Sequence, residues 1–138
     1  MRRSSDKKIY IGTMSGTSYD GIDICSLNAD NQISLLNFSS FKYPSQLRED
    51  ISRIIQCQEL SLDRYFDLNR RIGQAFSKSI KKFLTQNKIN KKNVAAIGLS
   101  GQTLFHQPKS RYPFSIQAGD PKIIANECEI DVVSDFRN

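Results

Sequence analysis

The sequence predicts an α/β protein in which a mixed β-sheet carries helices on its faces. Three observations point there. Apolar residues alternate with polar or small ones in runs before Pro44, which is the period of a half-buried strand. From Leu47 to Leu84 they recur instead at steps of three and four, the period of amphipathic helices. After that come two short apolar runs, Val94–Leu99 and Ile130–Ser134, of the kind found in strands buried on both faces. The 138 residues suit one core, so a single domain is expected over 1–138.

Taken in order, Lys8–Thr13 and Gly21–Leu27 read as strands, Asn28–Asn31 as a turn, and Ile33–Phe41 as a third, antiparallel strand stopped by Pro44. Leu47, Ile51, Ile54 and Ile55 then share one helical face. A longer amphipathic helix follows from a Ser61 N-cap to about Lys81-Lys82, its stripe of Leu62, Tyr65, Phe66, Ile72, Phe76, Ile80, Phe83 and Leu84 reading as core. Val94–Leu99 is expected to pair in parallel, as a strand following a helix does. Phe114–Gln117 suggests another strand, Pro121–Glu127 a short helix, and Ile130–Ser134 the last strand. No internal repeat or low-complexity segment interrupts the series.

Charge and cysteine usage narrow the function classes. Twenty Lys+Arg against 14 Asp+Glu give a net charge of +6. The excess is scattered over Arg2-Arg3, Lys7-Lys8, Arg70-Arg71, Lys81-Lys82 and Lys91-Lys92, with no interleaved aromatics, so it reads as solvated faces and no nucleic-acid partner is expected. Cys25, Cys57 and Cys128 are too far apart for a C-x-x-C site and odd in number, which suits a reducing interior. No run has the length of a membrane span and no leader-like apolar segment precedes the first strand, so a soluble, cytoplasmic protein without membrane contact is expected.

The stretch GTMSGTSYDG, Gly12 to Gly21, is the first candidate site. Three glycines allow a close approach to backbone N–H groups, and Ser15, Thr17 and Ser18 add hydroxyl donors, which is the chemistry of a phosphate cradle. The same residues also read as a hairpin turn, since Asp20-Gly21 is a favoured turn dipeptide. A Walker A loop is excluded: the glycines are too closely spaced, no lysine follows, and a strand stands where that motif needs a helix. The second candidate is SGQT, Ser100 to Thr103, at the carboxyl end of a buried strand, where open α/β sheets place ligands. Gln102 and Thr103 could hydrogen-bond a ligand there, or satisfy the loop's own backbone. His106 reads as a general acid or base, or as a surface residue; Asp120 as a substrate contact, or as the N-cap of the helix opened by Pro121.

This order of elements, with a Gly/Thr/Ser hairpin between the first two strands, resembles the ribonuclease-H-like half of the actin, sugar-kinase and heat-shock chaperone ATPase superfamily. Four successive motifs, GTMSGTSYDGID at 12–23, AIGLSGQTLFHQP at 96–108, SIQAGDPKIIA at 115–125 and DVVSDFRN at 131–138, resemble those of the anhydro-N-acetylmuramic acid kinases. The resemblance implies an ATP-dependent phosphotransferase of cell-wall recycling. It would open the anhydro bridge of 1,6-anhydro-N-acetylmuramic acid with water and phosphorylate the freed 6-hydroxyl. It assigns Gly16, Thr17, Ser18, Tyr19, Asp20, Gly21, Ile22 and Asp23 to the ATP phosphates, with Thr17 and Ser18 as donors. Asp20 and Asp23 would orient Mg²⁺ or its waters, although Asp23 also fits an outward strand position. Gln102, Thr103 and Asp120 are the implied substrate contacts.

The match departs from the family at two positions, with Ser100 where a histidine is expected and Tyr19 where leucine is usual. In the family the DFR motif runs on to the aspartate that activates water, then to a Gly-rich segment and a second domain. The expected base thus lies beyond Asn138, Asp135 does not take its place, and no catalytic residue is assigned. The chain is expected to be the amino-terminal half of a two-domain fold, truncated and inactive alone. Either it works with a separately encoded second half or as a homo-oligomer, or it is a non-catalytic remnant or interaction domain without turnover.

Overall fold

A computed structural model describes residues 9–30 and 32–136. Lys8 of the first expected strand, Asn31 of the expected turn and Arg137-Asn138 of the last motif lie outside the described residues. The chain runs through strands β1 (Ile9–Ser15), β2 (Gly21–Ala29) and β3 (Ile33–Lys42), and helices α1 (Ser45–Cys57) and α2 (Leu62–Gln86). A 3-10 turn (Lys91–Asn93), β4 (Val94–Gln107), β5 (Phe114–Ala118), α3 (Pro121–Cys128) and β6 (Val132–Ser134) follow. The sheet order is β3-β2-β1-β4-β5, with β6 also on β4. β1, β2 and β3 form an antiparallel meander, β4 joins β1 in parallel as expected, β6 is parallel and β5 antiparallel to β4. The mixed sheet with flanking helices is the class the sequence predicts.

Strand alternation decides which face is covered. Ile11, Ile22, Ile24, Ile97 and Leu99 are buried, and the core formed with them takes Leu47, Ile51 and Ile54 from α1. From α2 it takes Leu68, Ile72, Phe76, Ile80 and Phe83, so the aromatic stripe is core. The Ser61 hydroxyl accepts from Arg64 N–H at 3.3 Å, the expected N-cap. The helix continues past Lys81-Lys82 to Gln86 because Phe83 and Leu84 are still buried, and Asn87 ends it by donating its side-chain amide to Phe83 O at 2.9 Å.

Two strand boundaries differ from expectation. β4 does not end at Leu99: Ser100–Thr103 lie inside it, and it runs on to Gln107. Leu104 and Phe105 supply buried apolar contacts beyond the polar stretch, and β5 supplies backbone partners there. Gly101 absorbs the bend at φ +72°, and a Cβ there would stand 2.8 Å from Ala118 O. β6 begins at Val132 rather than Ile130, because Glu129, at φ +56°, closes α3 in a left-handed cap and the chain must first turn. Among the described residues no helix is long and apolar enough to cross a membrane.

The opposite face of the sheet is open. Tyr10 and Met14 alternate with buried Ile11 and Thr13 and point outward. Phe38, 61% exposed, stands beside Cys25 in the register that continues through Gly12 to Gly98, where Phe136 lies 3.7 Å from the position of a Cβ. A contiguous apolar face of this kind favours association. Residues 1–138 prepared alone are therefore expected to self-associate, and Phe38→Lys to lower the association constant at least about tenfold, since it puts a charge into a dry contact. A monomer by sedimentation velocity at micromolar concentration would rule this out.

Candidate functional site

The segment between β1 and β2 is a turn with Thr17 and Ser18 at its centre: Tyr19 N–H donates to Gly16 O at 3.1 Å. Asp20-Gly21 is not the turn dipeptide. Gly21 opens β2 and is a glycine for another reason, because a Cβ there would lie 2.4 Å from Phe41 O on the neighbouring strand. Gly16 is the contrary case. A Cβ on it would meet nothing nearer than the Ser18 hydroxyl at 3.8 Å, and its φ lies outside the left-handed region. The fold itself therefore makes no demand for glycine at position 16.

Tyr19 takes φ +46°, which a bulky side chain adopts at a cost of about 1 kcal/mol or more. Its ring packs against the core and its hydroxyl accepts from the Ser52 hydroxyl of α1 at 3.2 Å, which ties the turn to that helix. Thr17, Ser18 and Asp20 are exposed. Asp20 reaches Arg48 at 3.5 Å across a solvated surface, a pair worth little to stability. Asp23 is exposed on the outward side of β2 and accepts a hydrogen bond from the Ser40 hydroxyl. Ile22 is wholly buried in the core, so only its backbone is available to a ligand.

Beneath the turn lies a buried polar group built across the β1–β4 register. The Ser15 hydroxyl, with one proton to give, has Gly21 O at 2.8 Å and Gln102 Oε1 at 2.6 Å as acceptors. Gln102 is fully buried, and its Nε2 donates to Gly16 O at 3.1 Å and Thr103 O at 3.0 Å. Tyr43, 5% exposed, stands beside this group, and burial pushes its phenol well above the ordinary range while the Ser15 side chain acts in the other direction. The Thr103 hydroxyl is also turned inward, donating to Gln117 Oε1 at 2.9 Å.

The bend of β4 lines a cleft of about 340 Å³ together with α2, β5 and the chain after β6. Tyr65, Asn69, Ser100, Gly101, Gln117 and Asp135 contribute to it. Asn69 holds its floor, with Oδ1 accepting from Gly119 N–H at 2.8 Å, and Tyr65 donates to Gln117 O at 3.2 Å. Gln117 Nε2 is buried and has no hydrogen-bond partner among the described residues. Asp120 caps α3, accepting from Lys122 N–H at 2.9 Å. His106 lies 2.7 Å from Ser115 on the exposed end of β4, four residues beyond Gln102. It is not gathered into either group.

The turn and the cleft thus share one short piece of β4. Ser15 pairs with Gln102 in the β1–β4 register, and Gly101 beside it lines the cleft. Both stand at the carboxyl end of the parallel pair, the edge at which open α/β sheets bind ligands. Gln117 falls inside a sequence motif and could have been singled out from it. Ser15 lies within the GTMSGTSYDG candidate and was legible there as a hydroxyl donor, whereas Tyr65 and Asn69 carry no sequence signal apart from their helix pattern.

Comparison with known proteins gives a consistent result. A family model described as anhydro-N-acetylmuramic acid kinase matches residues 8–138. A curated anhydro-N-acetylmuramic acid kinase from Gamma-proteobacterium EBAC31A08 is 46% identical over 132 residues, covering 96% of this chain and 36% of the relative. Relatives of the same name from Vibrio vulnificus (strain YJ016) and Actinobacillus pleuropneumoniae serotype 7 (strain AP76) are 39% and 36% identical, over 96% and 95% of this chain and 36% of each relative. The chain spans little more than a third of the length of the curated relatives it matches.

Proposed function

This chain belongs to the anhydro-N-acetylmuramic acid kinase family, and from that premise we propose that it supplies the phosphate-binding turn and part of the acceptor site of an ATP-dependent kinase. The acceptor is 1,6-anhydro-N-acetylmuramic acid, whose anhydro bridge is opened by water and whose 6-hydroxyl is phosphorylated during cytoplasmic cell-wall recycling. The remaining length of the relatives is contributed by further polypeptide, whether continuous with this chain, separately encoded or a second copy. The observation that carries the reading is the open space at Gly16. A glycine that the fold does not require, at the head of a turn with exposed Thr17 and Ser18, leaves backbone and hydroxyl donors free to meet phosphate oxygens.

ATP would supply the phosphoryl group, and a Mg²⁺ ion held by its phosphates and by Asp20 would offset the negative charge there. Thr17 and Ser18 donate to the phosphates. Asp20, exposed and held only by a long pair with Arg48, is free to turn toward a hydrated cation, whereas Asp23 is already engaged by Ser40. Among the described residues no group of three or more acidic, histidine or cysteine side chains could hold a metal by itself. That fits Mg²⁺, which takes one or two carboxylates and completes its shell with water and substrate phosphate. Ser100 and Gln117, with its unpaired amide N–H, provide polar groups for a sugar in the cleft, and Asp120 stands next to the cleft-lining Gly119 and Pro121 as a further candidate contact.

A second reading, an interaction domain without turnover, is favoured by the exposed apolar face around Phe38. A coupled assay of ATP-dependent phosphorylation of the anhydro sugar separates the two, with residues 1–138 joined to or mixed with polypeptide supplying the rest of the relatives' length. Turnover that falls about 10²-fold or more in a Thr17→Ala, Ser18→Ala variant is expected, since each lost donor to a charged group costs a kilocalorie or more. No turnover in any assembly containing these residues favours the interaction domain.

A further inference from the structure

Gln102 is the one polar member among the largest fully buried side chains of the described residues. A buried amide must be hydrogen-bonded, and all of its partners are local to β4 or lie in the segment that leads into the turn. Its Oε1 accepts from Ser15, the last residue of β1, and its Nε2 donates to the carbonyl of Gly16, the first residue of the turn. The Gly16 carbonyl therefore receives two donors, Gln102 Nε2 from below and Tyr19 N–H across the turn. With both in place, the peptide unit joining Gly16 to Thr17 has one orientation.

That orientation has a chemical consequence. No peptide bond among the described residues is cis, and in a trans peptide the C=O and the N–H point in opposite directions. A Gly16 carbonyl drawn inward to Gln102 turns the Thr17 N–H away from that buried group, at a point in the turn where Thr17 and Ser18 are exposed. Apolar packing alone could fill the volume of Gln102 but could not fix the peptide's direction. We propose that Gln102 is a positioning residue: through Gly16 O and Ser15 it holds the turn with the Thr17 N–H presented to the nucleotide phosphates, without itself touching a ligand. The inference rests on the phosphate-binding reading above. It also links the two halves of the site, because the bend at Gly101 that shapes the cleft is adjacent to the residue that aims the turn.

The test uses the competent kinase assembly containing this chain, with Mg-ATP as probe. Gln102→Met keeps the bulk and removes every hydrogen bond; Ser15→Ala removes one partner and is the milder change. Gln102→Met is expected to raise the Kd and KM for Mg-ATP about tenfold, and Ser15→Ala about threefold, with the KM for the sugar within about twofold of the parent. Hydrogen exchange at the Thr17 amide, measured without nucleotide, should change in both variants, and the effects should be less than additive in the double variant. If Gln102→Met does not fold, Ser15→Ala decides. Folded variants whose Mg-ATP affinity stays within twofold overturn the proposal while Gly16→Val still impairs binding. A parent assembly that binds no Mg-ATP overturns the phosphate-binding reading and this inference together.

Discussion

Gly16→Val should weaken Mg-ATP binding at least about tenfold while leaving the unfolding midpoint nearly unchanged, and Gly21→Val should abolish folding. The two glycines are five positions apart in one motif, and the structure gives them opposite reasons to be glycine. At Gly21 a Cβ would stand 2.4 Å from Phe41 O, a distance real Cβ atoms do not adopt, and the atom it meets is backbone in a paired strand. Relief requires β2 and β3 to part along a register that runs from Gly21–Lys42 to Ala29–Ile33. Displacement of paired backbone exceeds the roughly 1–3 kcal/mol typical of overpacked cores, which is a large share of the few kcal/mol that keep a small domain folded.

At Gly16 the same substitution meets only open space, so its cost to the fold is confined to the preferences of a β-branched residue in a turn. Its cost to a phosphate is direct, because two methyl groups would occupy the side from which an anion approaches the backbone donors. Isothermal titration with Mg-ATP in the competent assembly, alongside thermal denaturation of each variant, reads both effects. Equal nucleotide affinity in Gly16→Val and parent would remove the turn from the phosphate site. A folded Gly21→Val would mean that β2 and β3 can separate at this point without loss.

The fold was legible because periodicity reports burial. Ile22, Ile24 and Ile97 mark strands, and the Phe76–Phe83 stripe marks a helix, since each element must hide one face. The site was legible only in its glycines and hydroxyls. What the sequence could not convey was direction. Ser100–Thr103 read as a loop because polar residues and a glycine interrupt an apolar run, yet they remain in β4, with Gly101 taking up the bend. Gln102 and Thr103 read either as ligand contacts, because amides and hydroxyls bind ligands, or as groups that satisfy the chain's own backbone, and the choice between the two was not legible. Burial turns them toward Gly16, Ser15 and Gln117, contacts spanning up to 87 positions that no local pattern encodes. Asp120 read equally as a cap or a contact, and its bond to Lys122 N–H establishes the cap without excluding the other role.

Residues 1–138 purified alone are expected to give no phosphorylation of the anhydro sugar above background. Phosphoryl transfer is chiefly a matter of holding nucleotide, metal and acceptor in line, in a site from which water is excluded. These residues hold the Gly16 turn and a cleft that is open to solvent, and they correspond to 36% of the length of relatives that bear the kinase name. On the proposed function, activation of water falls to the rest of the relatives' length, and an assembly without its general base loses on the order of 10²–10⁴ in rate. His106 offers no substitute, because it stands opposite Ser115 at the exposed end of β4, outside both the turn and the cleft. On that proposal, losses of the base and of a closed site act on the same step and compound. The assay is a coupled measurement of ADP release with Mg-ATP and the anhydro sugar, run with the chain alone and with the rest of the kinase supplied. Turnover by the chain alone comparable to the complete assembly would mean that acceptor activation resides within these residues, and the assignment of only the phosphate turn and part of the acceptor site to them would be wrong.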